Sequence, residues 1–217
     1  ETGTSYYNVF VDGKLHKVVK VCGTDTLIHL VSGIDKRIHS LKIQKRSEGE
    51  FGKTTVHQFV LSGSGRLAEE PAVRTRHIEF IGNSLTCGYG TDGKHRDEPF
   101  LVETENCNLT FASMVARYYD ADYTLIAHSG RGAARNYGDS VRVSKVTMKD
   151  RMLNTFDEDL THKWNFKEYR PDLVVINLGS NDFSTEPHPY KSEFTKAYKQ
   201  ILAQLREHYG DIPILCI

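Results

Sequence analysis

The chain has 217 residues with 28 basic and 28 acidic side chains, 10% aromatic residues and a mean hydropathy of -0.46. This balance excludes a disordered charged tail, and no stretch approaches the roughly 20 consecutive apolar residues that cross a bilayer, so we expect a folded protein without membrane contact. The first 75 residues carry a net charge of +3 and the rest -3, and neither half concentrates the positive charge that a phosphate backbone attracts, which argues against a nucleic-acid partner.

The N-terminal region, residues 1–70, shows the two-residue alternation of β-strands. Apolar and polar side chains alternate, with many β-branched residues, in four stretches: 17–21, 26–31, 38–43 and 55–61. Turn-forming pairs such as Asp12-Gly13 separate the stretches, a pattern typical of antiparallel strands with one solvated face. We therefore predict a small all-β sandwich, followed by a linker at residues 62–71, which are rich in Gly, Ser and Pro.

From residue 71 to 217 buried strands alternate with helices. Strands are predicted at residues 78–81, 123–127, 173–178 and 212–217, and helices at 109–119 and 191–209. In the last helix an apolar stripe recurs at helical spacing, and Gly210 follows as a stop signal; the stripe consists of Phe194, Ile201, Leu202, Leu205 and Tyr209. This alternation predicts an α/β domain with a parallel sheet covered on both faces. Ligands of such sheets bind beyond the carboxyl ends of the strands.

Three of these predicted strands are followed by residues that suit acyl transfer: Ser84, Gly130 and Asn181. A serine nucleophile needs a base, and its tetrahedral intermediate needs preorganised hydrogen-bond donors for the oxyanion. The backbone N–H groups of Ser84 and Gly130 and the side-chain amide of Asn181 would supply three donors. Ser, Gly and Asn are also ordinary turn formers, so each one alone indicates only a loop. Their joint occurrence after three strands favours a catalytic site.

The segments around these residues resemble the first three sequence blocks of the SGNH, or GDSL, hydrolases, at residues 81–90, at Gly130 and at residues 178–183. The β-rich N-terminal half and residues 135–138 resemble, more narrowly, carbohydrate esterase family two. Members of that family join a jelly-roll β-domain to an SGNH catalytic domain and deacetylate plant cell-wall polysaccharides. The resemblance implies a three-layer, flavodoxin-like α/β hydrolase domain over residues 71–217, after a jelly-roll-like β-sandwich over residues 1–70.

By this resemblance Ser84 is the nucleophile, and Gly130 and Asn181 complete the oxyanion hole. The sequence departs from the family pattern at Asn83, where the family usually has Asp. The catalytic histidine of the family lies in an Asp-x-x-His block near the C-terminus, and no such block is present. We therefore expect the hydrolase domain to lack its C-terminal end, with a missing segment or a second chain supplying the base. The conceivable substitutes are His128 and His188, and we expect neither to be the base.

The expected function is that of a serine esterase that deacetylates O-acetylated oligo- or polysaccharides, such as xylan or glucomannan, through an acyl-enzyme. A polysaccharide substrate implies a secreted protein. Tyr89 and Tyr137 lie close to the site blocks and are candidates for stacking on a sugar ring, whereas packing is the simpler role for Trp164. The competing hypothesis, motivated by the missing histidine and by Asn83, is a non-catalytic carbohydrate-binding protein or inactive esterase homologue.

The sequence indicates no cofactor and no metal site, because it lacks a dinucleotide fingerprint, a P-loop and any cluster of residues at metal-ligand spacing. Its four cysteines are too few for a disulfide scaffold. Cys22 and Cys216 lie in apolar, strand-like runs, and we predict that both are buried thiols. Cys87 and Cys107 flank a polar loop. Whether they form a disulfide stays open, since the separation of their Cα atoms cannot be read from the sequence.

Overall fold

A computed structural model describes residues 3–24, 26–69, 74–156 and 158–217, which form two sheets. The N-terminal strands are β1 (Thr4–Val11), β2 (Lys14–Cys22) and β3 (Leu41–Lys45), arranged in the order β2-β1-β3. The other sheet has the order β5-β4-β6-β7, formed by β4 (His77–Gly82), β5 (Asp122–Ala127), β6 (Leu173–Ile176) and β7 (Ile214–Cys216). The α-helices are α1 (Ser84–Cys87), α2 (Phe111–Tyr118), α3 (Met148–Arg151) and α4 (Lys191–Tyr209).

The N-terminal sheet is antiparallel, with β1 in the centre. Asp12 and Gly13 connect β1 to β2 with φ angles of 49° and 76°, as a tight hairpin turn of this kind requires. Two of the four predicted stretches contribute to strands, because residues 17–21 lie in β2 and residues 38–43 overlap β3. The stretches 26–31 and 55–61 are not strands. Alternation marks a local preference for extended backbone, but a strand also needs a neighbour that accepts its hydrogen bonds.

The second sheet is parallel, and β4 lies between β5 and β6. All four predicted strands are present, with boundaries that differ by a few residues, and both predicted helices are confirmed as α2 and α4. Thr110 caps α2 by accepting the N–H of Ser113 on its hydroxyl, so this helix begins two residues later than predicted. The short helices α1 and α3 were not predicted.

The core lies on both faces of the parallel sheet, as predicted for a three-layer domain. One cluster joins Ile81 and Ile176 of the sheet to Ile201, Leu205 and Tyr209, which belong to the predicted stripe of α4. The other cluster packs β4 and β6 against α2 and consists of Ile78, Phe80, Ala112, Ala116, Ala121 and Val175. Neighbouring residues of β4 such as Phe80 and Ile81 enter opposite clusters, because successive side chains of a strand point to opposite faces.

Buried polar contacts connect the N-terminal sheet to the parallel-sheet region. The Arg46 side chain, 2% exposed, donates to Glu105 O at 2.7 Å and to Asn8 Oδ1 at 3.3 Å, and it forms an ion pair with Asp92. Asn8 in turn donates to Asn106 Oδ1 at 2.9 Å. The predicted division at residue 70 stays a prediction, since residues 70–73 lie outside the described part of the chain.

All four cysteines are free thiols. The prediction that Cys22 and Cys216 are buried is wrong, since both are exposed. They lie at the ends of β2 and β7, which are edge strands of the two sheets that the described residues form. Cys87 and Cys107, whose pairing the sequence left open, donate instead to Glu48 Oε2 and Lys45 O. Among the described residues, no helix combines the length and apolar character that spanning a bilayer would require.

Candidate active site

Ser84 is the first residue of α1, directly past the carboxyl end of the central strand β4. The turn between them is tight: a Cβ atom on Gly82 would collide with the Thr86 hydroxyl, so glycine allows α1 to fold back over the strand. Asn83 caps the helix by accepting the Leu85 N–H on its Oδ1 at 3.2 Å. Ser84 is half-buried, and within the described residues its Oγ makes no hydrogen bond. Its hydroxyl therefore lies at the sheet edge where ligands bind.

Hydrogen bonds connect the three segments that carry Ser84, Gly130 and Asn181. Asn83, next to Ser84, donates from Nδ2 to Ser180 Oγ at 2.9 Å. Asn181 donates from Nδ2 to Arg131 O, next to Gly130, at 2.8 Å. The structure thus brings the three predicted segments together at neighbouring strand ends of one sheet.

The local geometry leaves donors available at this edge. Asn181 is 9% exposed, and its amide uses one of its two hydrogens for Arg131 O, which leaves the other for a ligand. Gly130 has a φ of 75°, a backbone conformation that favours glycine, and a Cβ atom there would meet only Tyr137 Cβ within 4 Å. The Ser84 N–H is at the first helical position, where α1 offers no backbone acceptor. These three groups are the donors that are expected from the sequence to hold an oxyanion.

Asn83, the departure from the family pattern, has both ends of its side chain engaged. It is fully buried, its oxygen accepts the Leu85 N–H, and its nitrogen donates to Ser180 Oγ. An ionised Asp could only accept at this position. The amide therefore fits its surroundings without a buried charge.

Asp182 is a site residue that the sequence reasoning missed. Its carboxylate is fully buried and accepts three consecutive backbone N–H groups, from Ala133 at 3.0 Å, Ala134 at 2.7 Å and Arg135 at 2.9 Å. A Cβ atom on Gly132 would collide with this carboxylate. Asp182 therefore holds the turn after Gly130 against the loop that carries Asn181. The available signal was an acidic residue directly after Asn181 in a buried block, since a charge there needs dedicated donors.

Within the described residues, neither of the two histidines considered as substitute bases hydrogen bonds to Ser84. His128 is 1% exposed, and its Nε2 is 2.8 Å from Glu50 Oε2. The Nδ1 of His188 is 3.3 Å from Glu186 Oε1. Neither has a contact with the Ser84 hydroxyl among the described residues.

The two candidate sugar-stacking residues are exposed and adjoin the site. Tyr89 is 47% exposed, its N–H donates to Ser84 O at 3.1 Å, and one face of its ring stacks on Phe100 with centroids 3.6 Å apart. Tyr137 is 62% exposed, and its N–H donates to Gly130 O at 2.8 Å. Trp164 is half-buried and packs beside Tyr169, with ring centroids 5.9 Å apart, in line with the expected packing role.

Two clusters each contain three side chains whose potential metal-ligating atoms lie within 4.8 Å of one another. The first cluster consists of Glu48, Cys87 and Glu105, and the second consists of Glu50, His128 and Glu158. Protein donors already engage both clusters. Glu48 accepts the Ser129 N–H, and the carboxylate of Glu158 pairs with Arg151 at 2.9 Å. The expectation that the protein uses no metal or cofactor stays a prediction.

Two known families match most of this chain. The model of the GDSL-like lipase/acylhydrolase family matches residues 80–217, and the model of the carbohydrate esterase 2 N-terminal region matches residues 1–71. The cellulase/esterase CelE of Acetivibrio thermocellus is 36% identical over 214 residues, which are 99% of this chain and 26% of that protein. An acetylxylan esterase / glucomannan deacetylase of Cellvibrio japonicus is 33% identical over 182 residues, 82% of this chain and 49% of that protein.

A solved structure of a family two carbohydrate esterase from Clostridium thermocellum, in complex with cellohexaose, superposes with a TM-score of 0.92 at 36% identity, over 99% of this chain and 64% of that chain. The chain thus spans about a quarter and about half of the two curated relatives. The family model covers more than half of the chain and includes the carboxyl ends of β4, β5 and β6. The chain therefore belongs to the GDSL-like lipase/acylhydrolase family, with a carbohydrate esterase 2 N-terminal region before that domain.

Proposed function

We propose that the protein containing this chain is a serine esterase that removes acetyl groups from O-acetylated carbohydrates. The observation that carries the proposal is the hydrogen-bonded arrangement of three strand ends, in which Ser84 adjoins the segments of Gly130 and Asn181. The names of the relatives point to the same class of reaction, since they include an acetylxylan esterase / glucomannan deacetylase.

In the proposed reaction the Ser84 Oγ attacks the acetyl carbonyl carbon, and its proton passes to a base. The carbonyl oxygen becomes an oxyanion held by the N–H groups of Ser84 and Gly130 and by the amide of Asn181. Collapse of the tetrahedral intermediate expels the sugar oxygen, which takes up the proton from the base, and leaves an acetyl ester on Ser84. Water, deprotonated by the same base, then releases acetate and restores the serine.

We propose that a histidine outside the printed sequence, in a further segment or in a second chain, is the base. Two observations support this part of the proposal. Within the described residues no histidine hydrogen bonds to the Ser84 Oγ, and the chain covers only 64% of the solved esterase that it matches. The role of a histidine as the general base of a serine hydroxyl is a common solution to the weak nucleophilicity of that group.

The substrate is proposed to be an acetylated glycan such as xylan or glucomannan. Tyr89 and Tyr137 flank the Ser84 and Gly130 segments with exposed rings, and aromatic rings provide rigid apolar faces on which sugars can stack. Since such glycans lie outside cells, we also propose that the protein is secreted.

The second candidate function is carbohydrate binding without catalysis, which is favoured because no base hydrogen bonds to the Ser84 Oγ within the described residues. The two functions differ in whether Ser84 is activated. In the full-length protein, a sulfonyl fluoride should label Ser84, as identified by peptide mass spectrometry, and acetylated xylan should release acetate. The Ser84→Ala variant should lose both signals, whereas Ser192→Ala, a change at an exposed serine of helix α4, should keep both. Binding of xylan with neither labelling nor acetate release would refute the esterase and support the binding protein.

A further inference from the structure

Glu48 belongs to the N-terminal region but reaches the candidate active site. It follows β3 and occupies the residue before a 3-10 turn, Gly49–Phe51. Its side chain is buried at 8% exposure, in the contact between the two sheets. Nothing in the reaction derived above uses this carboxylate, and a buried carboxylate has a large desolvation cost unless specific donors offset it.

A single oxygen of Glu48 contacts both elements that carry the backbone donors of the proposed oxyanion hole. Its Oε2 accepts the Ser129 N–H at 2.7 Å, one residue before Gly130. The same Oε2 accepts the thiol of Cys87 at 3.4 Å, at the last residue of the one-turn helix that begins with Ser84. The carboxylate therefore bridges the end of α1 and the start of the Gly130 loop.

The surroundings of Glu48 keep it in place. Its backbone N–H donates to Glu105 Oε2 at 2.8 Å, and its carbonyl oxygen accepts from Lys45 Nζ at 2.9 Å. Burial, and after it the negative charge of Glu48, raises the pKa of Glu105 to about 9, so Glu105 is protonated at neutral pH.

We propose that Glu48 is a positioning residue of the esterase, which sets the relative position of the Ser84 and Gly130 N–H groups from outside the hydrolase domain. This inference rests on the proposed function. Displacing an oxyanion donor by about 1 Å can lower the rate by about 100-fold. The effect falls on the transition state, because the oxyanion exists only there and in the tetrahedral intermediates.

The test compares Glu48 variants in the full-length protein. Glu48→Ala and Glu48→Asp withdraw the acceptor from Ser129, and we expect kcat for acetyl release to fall by about 10- to 100-fold with KM changed by less than about twofold. Binding of a boronic acid that forms a tetrahedral adduct with Ser84 should weaken by the same factor. Glu48→Gln keeps an oxygen acceptor and should recover most of kcat. Glu103→Ala, which removes an exposed acid on the same segment as Glu105, is the matched control and should have no effect.

Hydrogen exchange gives a second readout that does not depend on activity. In Glu48→Ala and Glu48→Asp, the amides of Ser129 and Gly130 should exchange at least about 10-fold faster, while those of α4 keep their rates. If Glu48→Ala does not fold, as judged by its unfolding midpoint, Glu48→Asp carries the comparison. Unchanged exchange at these amides, or unchanged kcat in an active protein, overturns the positioning role. A wild-type protein without acetyl release would instead refute the proposed function, and the exchange measurement would still decide whether Glu48 holds this loop.

Discussion

Two buried carboxylates hold opposite ends of the same loop, residues 129–135, in different ways. Asp182 comes from the loop after β6 and accepts three consecutive N–H groups at the far end of this loop. Glu48 comes from the N-terminal region and accepts one N–H at the near end, together with a thiol. The hydrolase domain thus anchors one end of the loop itself, whereas the other anchor is supplied by a different part of the chain.

The difference suggests which anchor carries more of the stability and which is more easily altered. Three N–H groups on one carboxylate satisfy the charge of Asp182 completely within one compact turn. Among the described residues the Oε1 atom of Glu48 has no hydrogen-bond partner, and Glu48 lies beside the second acid, Glu105. The Glu48 end is expected to respond to the protonation of its neighbour Glu105.

The largest effect is expected for Asp182→Ala. This substitution leaves three buried N–H groups without an acceptor, and each such group costs about 1 to 3 kcal/mol. We expect the free energy of unfolding to fall by several kcal/mol, and kcat by more than about 1000-fold, since the loop loses its order. Chemical denaturation and initial rates of acetyl release measure the two effects. Asp97→Ala, at an exposed position, is the control, and an Asp182→Ala protein of normal stability would show that this anchor is dispensable.

The next effect in size is expected for Asn181→Ala, which removes a proposed oxyanion donor without disturbing either anchor. Loss of one such donor costs about 2.7 to 4 kcal/mol of transition-state stabilisation. We expect kcat to fall by roughly 100- to 1000-fold with little change in KM, and the unfolding midpoint to drop because the hydrogen bond to Arg131 O is lost. Steady-state kinetics of the full-length protein test this expectation, and an unaffected kcat would contradict the role of Asn181.

A smaller effect on stability is expected from pH, because Glu105, which lies beside the Glu48 anchor, changes its protonation. The pKa of Glu105 is raised to about 9, so the folded protein retains a proton that the unfolded chain loses near its ordinary value of 4.5. Its contribution to stability is complete below the unfolded pKa and is lost as the pH rises towards 9, at no more than about 1.4 kcal/mol per pH unit.

Thermal unfolding between pH 5 and 9 therefore should show a decline in wild type that is reduced in Glu105→Gln. The same decline in both proteins would contradict the protonation of Glu105. Glu103→Gln, an exposed acid two residues away, should behave like wild type and serves as the control.

The smallest effect is expected for Tyr137→Ala, which touches neither anchor through its side chain. Loss of one stacking face weakens binding by about 0.5 to 1.5 kcal/mol, so KM for an acetylated glycan should rise by a few-fold to about 10-fold while kcat is kept. A small acetate ester without sugar rings should show no change, and this substrate is the control. An equal effect on both substrates would indicate that Tyr137 shapes the loop and does not bind sugar.

Much of the parallel-sheet region could be predicted because its signals are local. The helix α4 was predicted at its observed bounds from an apolar stripe and Gly210, and each strand of that sheet was recognisable as an apolar run. The N-terminal stretches at residues 26–31 and 55–61 share the alternation of β2 but are not strands. Exposed side chains such as Leu27 and Phe59, at 90% and 62% exposure, have no covering layer there. These stretches and β2 have the same local preference for extended backbone. They differ because β2 pairs with a neighbouring strand.

The candidate site also contains residues that local sequence signals predicted and residues that they did not. Ser84, Gly130 and Asn181 were found because they follow strands and because their chemistry is complementary, which the linear order already reveals. Asp182 and Glu48 were not found as site residues. The N–H groups that Asp182 accepts lie 47 to 49 residues away along the chain, and Ser129 lies 81 residues from Glu48. No periodicity of the sequence connects residues that are so far apart.

The amino-acid sequence alone thus determined the succession of strands and helices and the residue types at the strand ends, because periodicity and turn chemistry act over a few neighbouring residues. Which strand became central, which buried acids met which amides, and how the N-terminal region reached Ser129 were decided only by the tertiary structure. The physical reason is that a buried carboxylate is stable wherever the fold delivers enough donors to it, and donors from distant segments converge only after the sheets have packed.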